Sequence, residues 1–172
     1  SPELPESYRQ TPFVLLANIA PALQSHVLDQ MRKPRFVIAD TMDLWLNIAL
    51  KDLLKLLKRV DAFVLNDSEA RQLVQEDNLI AALPKLHRLG PEYIIVKKGE
   101  HGSILSSRKG LFLAPAFPLR RVVDPTGAGD SFVGALIGHL ASRGKIDEAA
   151  LRRGMLYGAT VAGRDLAPRI AS

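Results

Sequence analysis

The chain has 172 residues, enough for one domain with a real core and too few for two of ordinary size. Apolar residues make up 47% and charged residues 24%, a globular balance, and the absence of cysteine excludes disulfides, thiolate metal sites and cysteine nucleophiles. A formal charge of +5 admits nucleic acid or an anionic ligand, but the basic residues are dispersed with few aromatics to stack bases, which favours solvated basic faces plus a nucleotide site.

Ser1 to Thr11 is polar and Pro-rich and reads as an exposed lead-in. Phe13 to Asn18 is a continuous apolar run, the pattern of a strand buried on both faces. Pro21 opens a helix to about Met31. Arg35 to Asp40 repeats the strand pattern and ends in an acid. Asp43 to Arg59 reads as one helix, with Leu46, Leu50, Leu53, Leu54 and Leu57 on one face and Lys51, Lys55 and Lys58 opposite. Ala62 to Leu65 is a third buried strand, Asn66 opens the next helix, and another covers about Leu79 to Leu89 before Gly90-Pro91 stops it. Tyr93 to Val96 is a fourth strand. Ser103–Ser107 and Leu111–Ala114 around Arg108-Lys109-Gly110 carry a hairpin signal. A strand at Arg121–Val123, a loop of small residues, a helix to about Ser142 and a last helix from about Asp147 to Gly163 complete the chain. No apolar run reaches membrane-span length and no signal peptide is visible, so the expected compartment is the cytoplasm, with no membrane partner.

Alternation of buried strands with amphipathic helices predicts an α/β fold of three layers, αβα, around a mainly parallel open sheet with a late antiparallel hairpin. Ligands bind such sheets at the carboxyl ends of the strands. The residues at those ends are Asn18, Asp40, Asn66, Lys98 with Gly99, and Asp124 through Asp130, a polar, acidic and glycine-rich set suited to a nucleotide and a metal.

The chemistry concentrates in Val122 to Phe132, where Asp124-Pro125-Thr126-Gly127-Ala128-Gly129-Asp130 joins a β-branched run to a helix. The first amides of a helix have no internal partner and carry the positive end of its dipole, so they bind phosphate. Gly127, Ala128 and Gly129 have almost no side chain to keep an anion away, and Asp130 stands where a carboxylate could face it. There is no GxxxxGK[ST] and no GxGxxG, so phosphate binding rests on this turn. A Gly-Ala-Gly turn alone is more often only a tight turn; the seven-residue combination between strand and helix is far more specific. Simpler readings stand beside the chemical ones. Asp130 could be a plain cap, Asn66-x-x-Glu69 is also a capping box, Gly99 and Gly102 are also turn glycines, and Lys97 or Lys98 a surface lysine. Asp40 could line the site or only end a strand, and Gly134 and Gly138 are expected to permit close helix–sheet packing.

Asp124 to Gly134 resembles the C-terminal signature of the PfkB, or ribokinase-like, family of carbohydrate and nucleoside kinases. Asn66-Asp67-Ser68-Glu69 is similar to the family's N-x-x-E motif, and Val96 to Gly102 to its strand-then-glycine segment beside the nucleotide. Asp40 to Trp45 is similar to a segment of some branches, with Asp43 where Asn is more usual. The four occur in the family's order and cover most of the chain. The resemblance implies ATP-dependent transfer of the γ-phosphoryl group to a hydroxyl of a sugar or nucleoside. It makes Asp130 the general base and the amides of Gly127, Ala128 and Gly129 the anion hole. Lys97, Gly99 and Gly102 would lie against the nucleotide, and Asn66 and Glu69 would hold Mg²⁺ and phosphates through water. Asp124 and the Thr126 carbonyl resemble a monovalent-cation (K⁺) site, whose remaining ligands usually follow the last helix; Ala162-Gly163-Arg164-Asp165 departs from that pattern.

The family's glycine-rich N-terminal segment, its lid strands and the acid of its first strand have no counterpart here. With Ser1 rather than Met at its start, the chain is expected to be a fragment: a single nucleotide-binding and catalytic part, roughly the family's C-terminal half. Acting alone it should turn over weakly or not at all, because substrate positioning supplies much of the rate, and it should leave a sheet edge open. The sugar or nucleoside and the oligomeric state stay open. The rival readings are a non-catalytic nucleotide-binding remnant and, less favoured, a basic nucleic-acid-binding domain.

Overall fold

The computed structural model describes residues 2–120 and 126–166. Its sheet has six strands in sequence order: β1 (Phe13–Leu16), β2 (Phe36–Asp40), β3 (Ala62–Asn66), β4 (Tyr93–Lys97), β5 (Ser103–Ser107) and β6 (Gly110–Ala114). β1 to β4 are parallel, whereas β5 and β6 fold back antiparallel as the expected hairpin. Among the described residues the sheet ends at β1 on one side and β6 on the other.

Because the parallel strands advance in one direction, right-handed crossovers place every connecting helix on the same face. That layer holds α1 (Pro21–Gln30), α2 (Asp43–Ile48), α3 (Leu50–Leu57), α4 (Asp67–Val74) and α5 (Leu79–His87). The opposite face is covered by the α6 (Ala128–Arg143) and α7 (Glu148–Leu166) pair. Two cores result, split by the two-residue period of the strands. Val37 and Ala39 pack with Leu53, Leu57 and Leu86 in one. Phe36 and Ile38 pack with Phe132, Leu136, Leu151 and Met155 in the other. Burial on both faces is why the strands read as unbroken apolar runs. Among the described residues no helix is long and apolar enough to cross a membrane.

Two expectations need correction. The helix foreseen over Asp43 to Arg59 is two, separated at Ala49 (φ −136°, ψ 27°). α2 is tied to the end of β1, where Trp45 Nε1 donates to Asn18 Oδ1 at 2.8 Å, and to α4, whose Gln72 Nε2 donates to Asn47 Oδ1 at 2.8 Å. α3 instead follows the core through Leu53, Leu56 and Leu57, and the change of direction leaves Leu50 exposed. Gly134 and Gly138 do not serve close packing, since a Cβ at either would have nothing within 4 Å. The close approach comes from α7, where a Cβ at Gly158 would lie 2.6 Å from the Phe132 carbonyl oxygen and one at Gly154 would lie 3.0 Å from Leu136 Cδ1.

Candidate active site

Parallel strands end on one edge of the sheet, so β2, β3 and β4 deliver Asp40, Asn66 and Lys97 to the same place. Asn66 and Lys97 are register partners across β3 and β4. Asp40 follows Ile38, and Lys97 follows Ile95, at the two-residue spacing that keeps both on the α6 side of the sheet.

The first turn of α6 stands over this edge. Gly127 precedes it in the left-handed region (φ +81°), which glycine enters without strain, and a Cβ there would meet nothing within 4 Å. The helix's first internal bond runs from the Ser131 amide to the Gly127 carbonyl at 2.9 Å, so the amides of Ala128, Gly129 and Asp130 precede the ladder. The N-cap residue is Gly127, which has no side chain to cap the turn. Asp130 lies in this turn and is exposed. Asp124, Pro125 and the strand expected at 121–123 lie outside the described residues; Thr126 forms the turn before Gly127.

Lys97 is no ordinary surface lysine. Its Nζ donates to both carboxylate oxygens of Asp40, at 3.3 and 3.2 Å, and lies 3.1 Å from where a Gly129 Cβ would stand. Asp40 is only 4% exposed. Burial pushes its carboxyl above the ordinary range, Lys97 and the Thr41 amide pull against that, and Asp130 adds to it.

Asn66 and Glu69 form a complete capping box. The Asn66 amide donates to Glu69 Oε2 and the Glu69 amide donates to Asn66 Oδ1, both at 2.8 Å. The simple reading of this pair therefore holds. The chemical one remains compatible, because Glu69 sits within electrostatic range of Lys97, Asp40 and Asp43. Burial raises the Glu69 carboxyl above its usual value, and the Asn66 amide and Lys97 oppose it. Among the described residues no three acidic or histidine side chains are grouped closely enough to cage a metal ion. With one Glu69 oxygen committed to the cap, the donor set fits an ion that keeps its water and is held chiefly by phosphate, as Mg²⁺ is.

The two glycines after β4 play different parts. A Cβ at Gly102 (φ +84°) would collide with the Ala114 carbonyl, so glycine is needed there to let the β6 end approach. Gly99 (φ +55°) has nothing within 4 Å and borders a cleft of about 720 Å³. This cleft also touches Lys97, Ala128 and Gly129, and its far wall is apolar: Phe117, Ala159 and Leu166. Sequence reasoning missed that wall. The available signal was the small-residue set Gly158, Ala159, Ala162 and Gly163 in α7, which lets other groups come close. At Gly163 a Cβ would collide with Phe117 Cβ.

The sequence model described as pfkB family carbohydrate kinase matches residues 13–167. The chain is 29% identical over 158 residues to the cytidine kinase of Thermococcus kodakarensis, an alignment covering 88% of this chain and 55% of that protein. It is 35% identical over 108 residues to the bifunctional ribokinase/ribose-5-phosphate isomerase A of Fructilactobacillus sanfranciscensis, covering 60% of this chain and 19% of that protein. Aminoimidazole riboside kinase from Salmonella enterica shares the fold with a TM-score of 0.80 at 22% identity, over 93% of this chain and 58% of that one. Fructokinase from Vibrio cholerae, with fructose, ADP and calcium ion bound, gives 0.79 at 16% identity, over 93% and 56%. The chain thus spans little more than half of the cytidine kinase and less of the bifunctional protein. A family match over nearly the whole sequence, on a three-layer sheet whose carboxyl edge gathers the motif residues, means that the chain belongs to the pfkB family of carbohydrate kinases.

Proposed function

We propose that this chain supplies the nucleotide-handling and base-bearing part of a kinase that transfers the γ-phosphoryl group of ATP to a hydroxyl of a sugar or nucleoside. The observation that carries the reading is the first turn of α6, opened by a glycine N-cap, with an exposed Asp130 and the Lys97 ammonium alongside, at the mouth of the apolar-walled cleft. The purine would lie in the cleft against Phe117 and α7, with the phosphates reaching the amides of Gly127, Ala128 and Gly129. Those amides are fixed before the reaction and would hold the charge that spreads over the transferring oxygens. Asp130 would take the proton of the attacking hydroxyl; a weak base suffices because the transition state is loose. Asn66 and Glu69 would hold magnesium through water, and the ion, when bound, would neutralise phosphate charge. The names of the relatives, among them cytidine kinase, deoxyribokinase and fructokinase, support a sugar or nucleoside acceptor.

The test is ADP binding together with ATP-dependent phosphorylation of a panel of sugars and nucleosides, by wild type and Asp130→Asn. ADP binding with weak turnover, limited by substrate positioning and abolished by Asp130→Asn without loss of ADP affinity, is the expected result. Binding without turnover by the wild type would favour the non-catalytic remnant. No ADP binding, with steeply salt-dependent oligonucleotide binding instead, would refute the kinase reading in favour of a nucleic-acid partner.

A further inference from the structure

We infer that Asp40 is a positioning residue of the phosphate site: through its two-oxygen contact with Lys97 it holds that ammonium against the first turn of α6. The inference rests on the proposed reading of that turn as the phosphate cradle. Lys97 ends β4 and Asp40 ends β2, so the lysine reaches past β3 to make the contact. A lysine stem carries much rotamer freedom and would otherwise be free to swing into the cleft it lines. Asp40 is nearly sealed from solvent, and its Oδ1 is further fixed by the Thr41 amide at 2.9 Å, so it makes a rigid anchor.

The local charge makes that anchoring matter. Lys97 is set among the carboxylates of Asp40, Glu69 and Asp130, with Asp43 acting on Glu69 as well. A polyphosphate approaching this edge meets mostly negative groups, and one ammonium placed beforehand beside Gly129 offsets them without ordering a side chain on binding. The position is tight: a methyl at residue 129 would sit 3.1 Å from the nitrogen. An Asp40 that merely neighboured the phosphates would repel them; an Asp40 that aims Lys97 helps bind them. The two roles differ in sign.

Adenosine, ADP and ATP are titrated calorimetrically into wild type, Asp40→Asn, Lys97→Met and the double variant, with magnesium chloride and again with EDTA. Wild type should gain affinity with each added phosphate. Asp40→Asn and Lys97→Met should each weaken ATP on the order of tenfold while leaving adenosine unchanged. The double variant removes both charges of the buried pair and so avoids leaving one unpaired; it should bind ATP no more weakly than Lys97→Met alone. If Asp40→Asn binds ATP as well as wild type or better, or loses adenosine in equal measure, the positioning role is wrong. Should Asp40→Asn fail to fold, the double variant decides, because a further loss of ATP affinity beyond Lys97→Met would give Asp40 a part independent of Lys97. If wild type gains nothing from the phosphates under either condition, the cradle reading fails, and the inference with it.

Discussion

Replacing Gly158 with alanine tests whether α7 fixes the first turns of α6. The new Cβ would stand 2.6 Å from the Phe132 carbonyl oxygen and 3.0 Å from Phe132 Cδ2. A carbon and a carbonyl oxygen relax to about 3.3 Å, so the helices must part by roughly 0.7 Å. The obstacle is backbone inside a helix and cannot rotate aside. Alanine gains about 1 kcal/mol of helix propensity over glycine, and overpacking costs about 1–3 kcal/mol, leaving a net loss of up to about 2 kcal/mol. For a chain of this length that lowers Tm by up to about 8 °C. Gly134→Ala is the internal control: it has the same propensity gain in an exposed helical position with no atom within 4 Å, and should stabilise by about 0.5–1 kcal/mol. Urea unfolding followed by circular dichroism reads both. Phe132 is two residues beyond Asp130, so Gly158→Ala should also weaken ADP binding, and Gly134→Ala should not. If Gly158→Ala proves as stable as Gly134→Ala, the close approach of α7 to the Phe132 carbonyl is not real and the account of α6 placement falls.

Asp61 offers a pH test. Its Oδ2 accepts the Val37 amide at 2.8 Å, and burial raises the carboxyl above its ordinary 3.8, with the Val37 bond opposing and Glu92 adding. The folded protein therefore holds this proton more tightly than the unfolded chain, so the group's contribution is full at low pH and is lost as pH rises from 3.8 through the raised value. Asp61→Asn keeps an acceptor for Val37 and should be at least as stable as wild type at neutral pH, the difference closing in acid; Asp61→Ala strands the amide and should cost about 1–3 kcal/mol in urea unfolding. Asn66→Ala removes the cap of α4 and should cost about 1 kcal/mol, while Asn66→Asp should not; a thermal melt showing no loss in the alanine variant would contradict the capping box. Gly102→Ala should lower Tm well beyond any of these, because left-handed backbone and a collision with the Ala114 carbonyl coincide there.

Local physics made much of the protein legible before any coordinates. Strands buried on both faces announce themselves as apolar runs, the hairpin by its turn residues, the start of α4 by Asn66 and Glu69, and the start of α6 by the small residues before it. Each depends on neighbours within a few positions. Asp43 to Arg59 misled because helical period says nothing of the competing pull between Trp45 at the strand ends and Leu53 in the core. Gly134 and Gly138 misled because a glycine pattern does not say which face of its helix is occupied.

What the sequence determined by itself was the class of fold, the family signature and the identity of the amides and carboxylate beside the proposed phosphate site. Only tertiary structure could join Asp40 to Lys97, 57 positions away, bring α7 against Phe132, and raise an apolar wall from Phe117 and Leu166 opposite Gly99. The reason is physical: strand order and crossover hand decide which chain ends meet, and those follow from how two apolar faces of one sheet are covered rather than from any short stretch of residues.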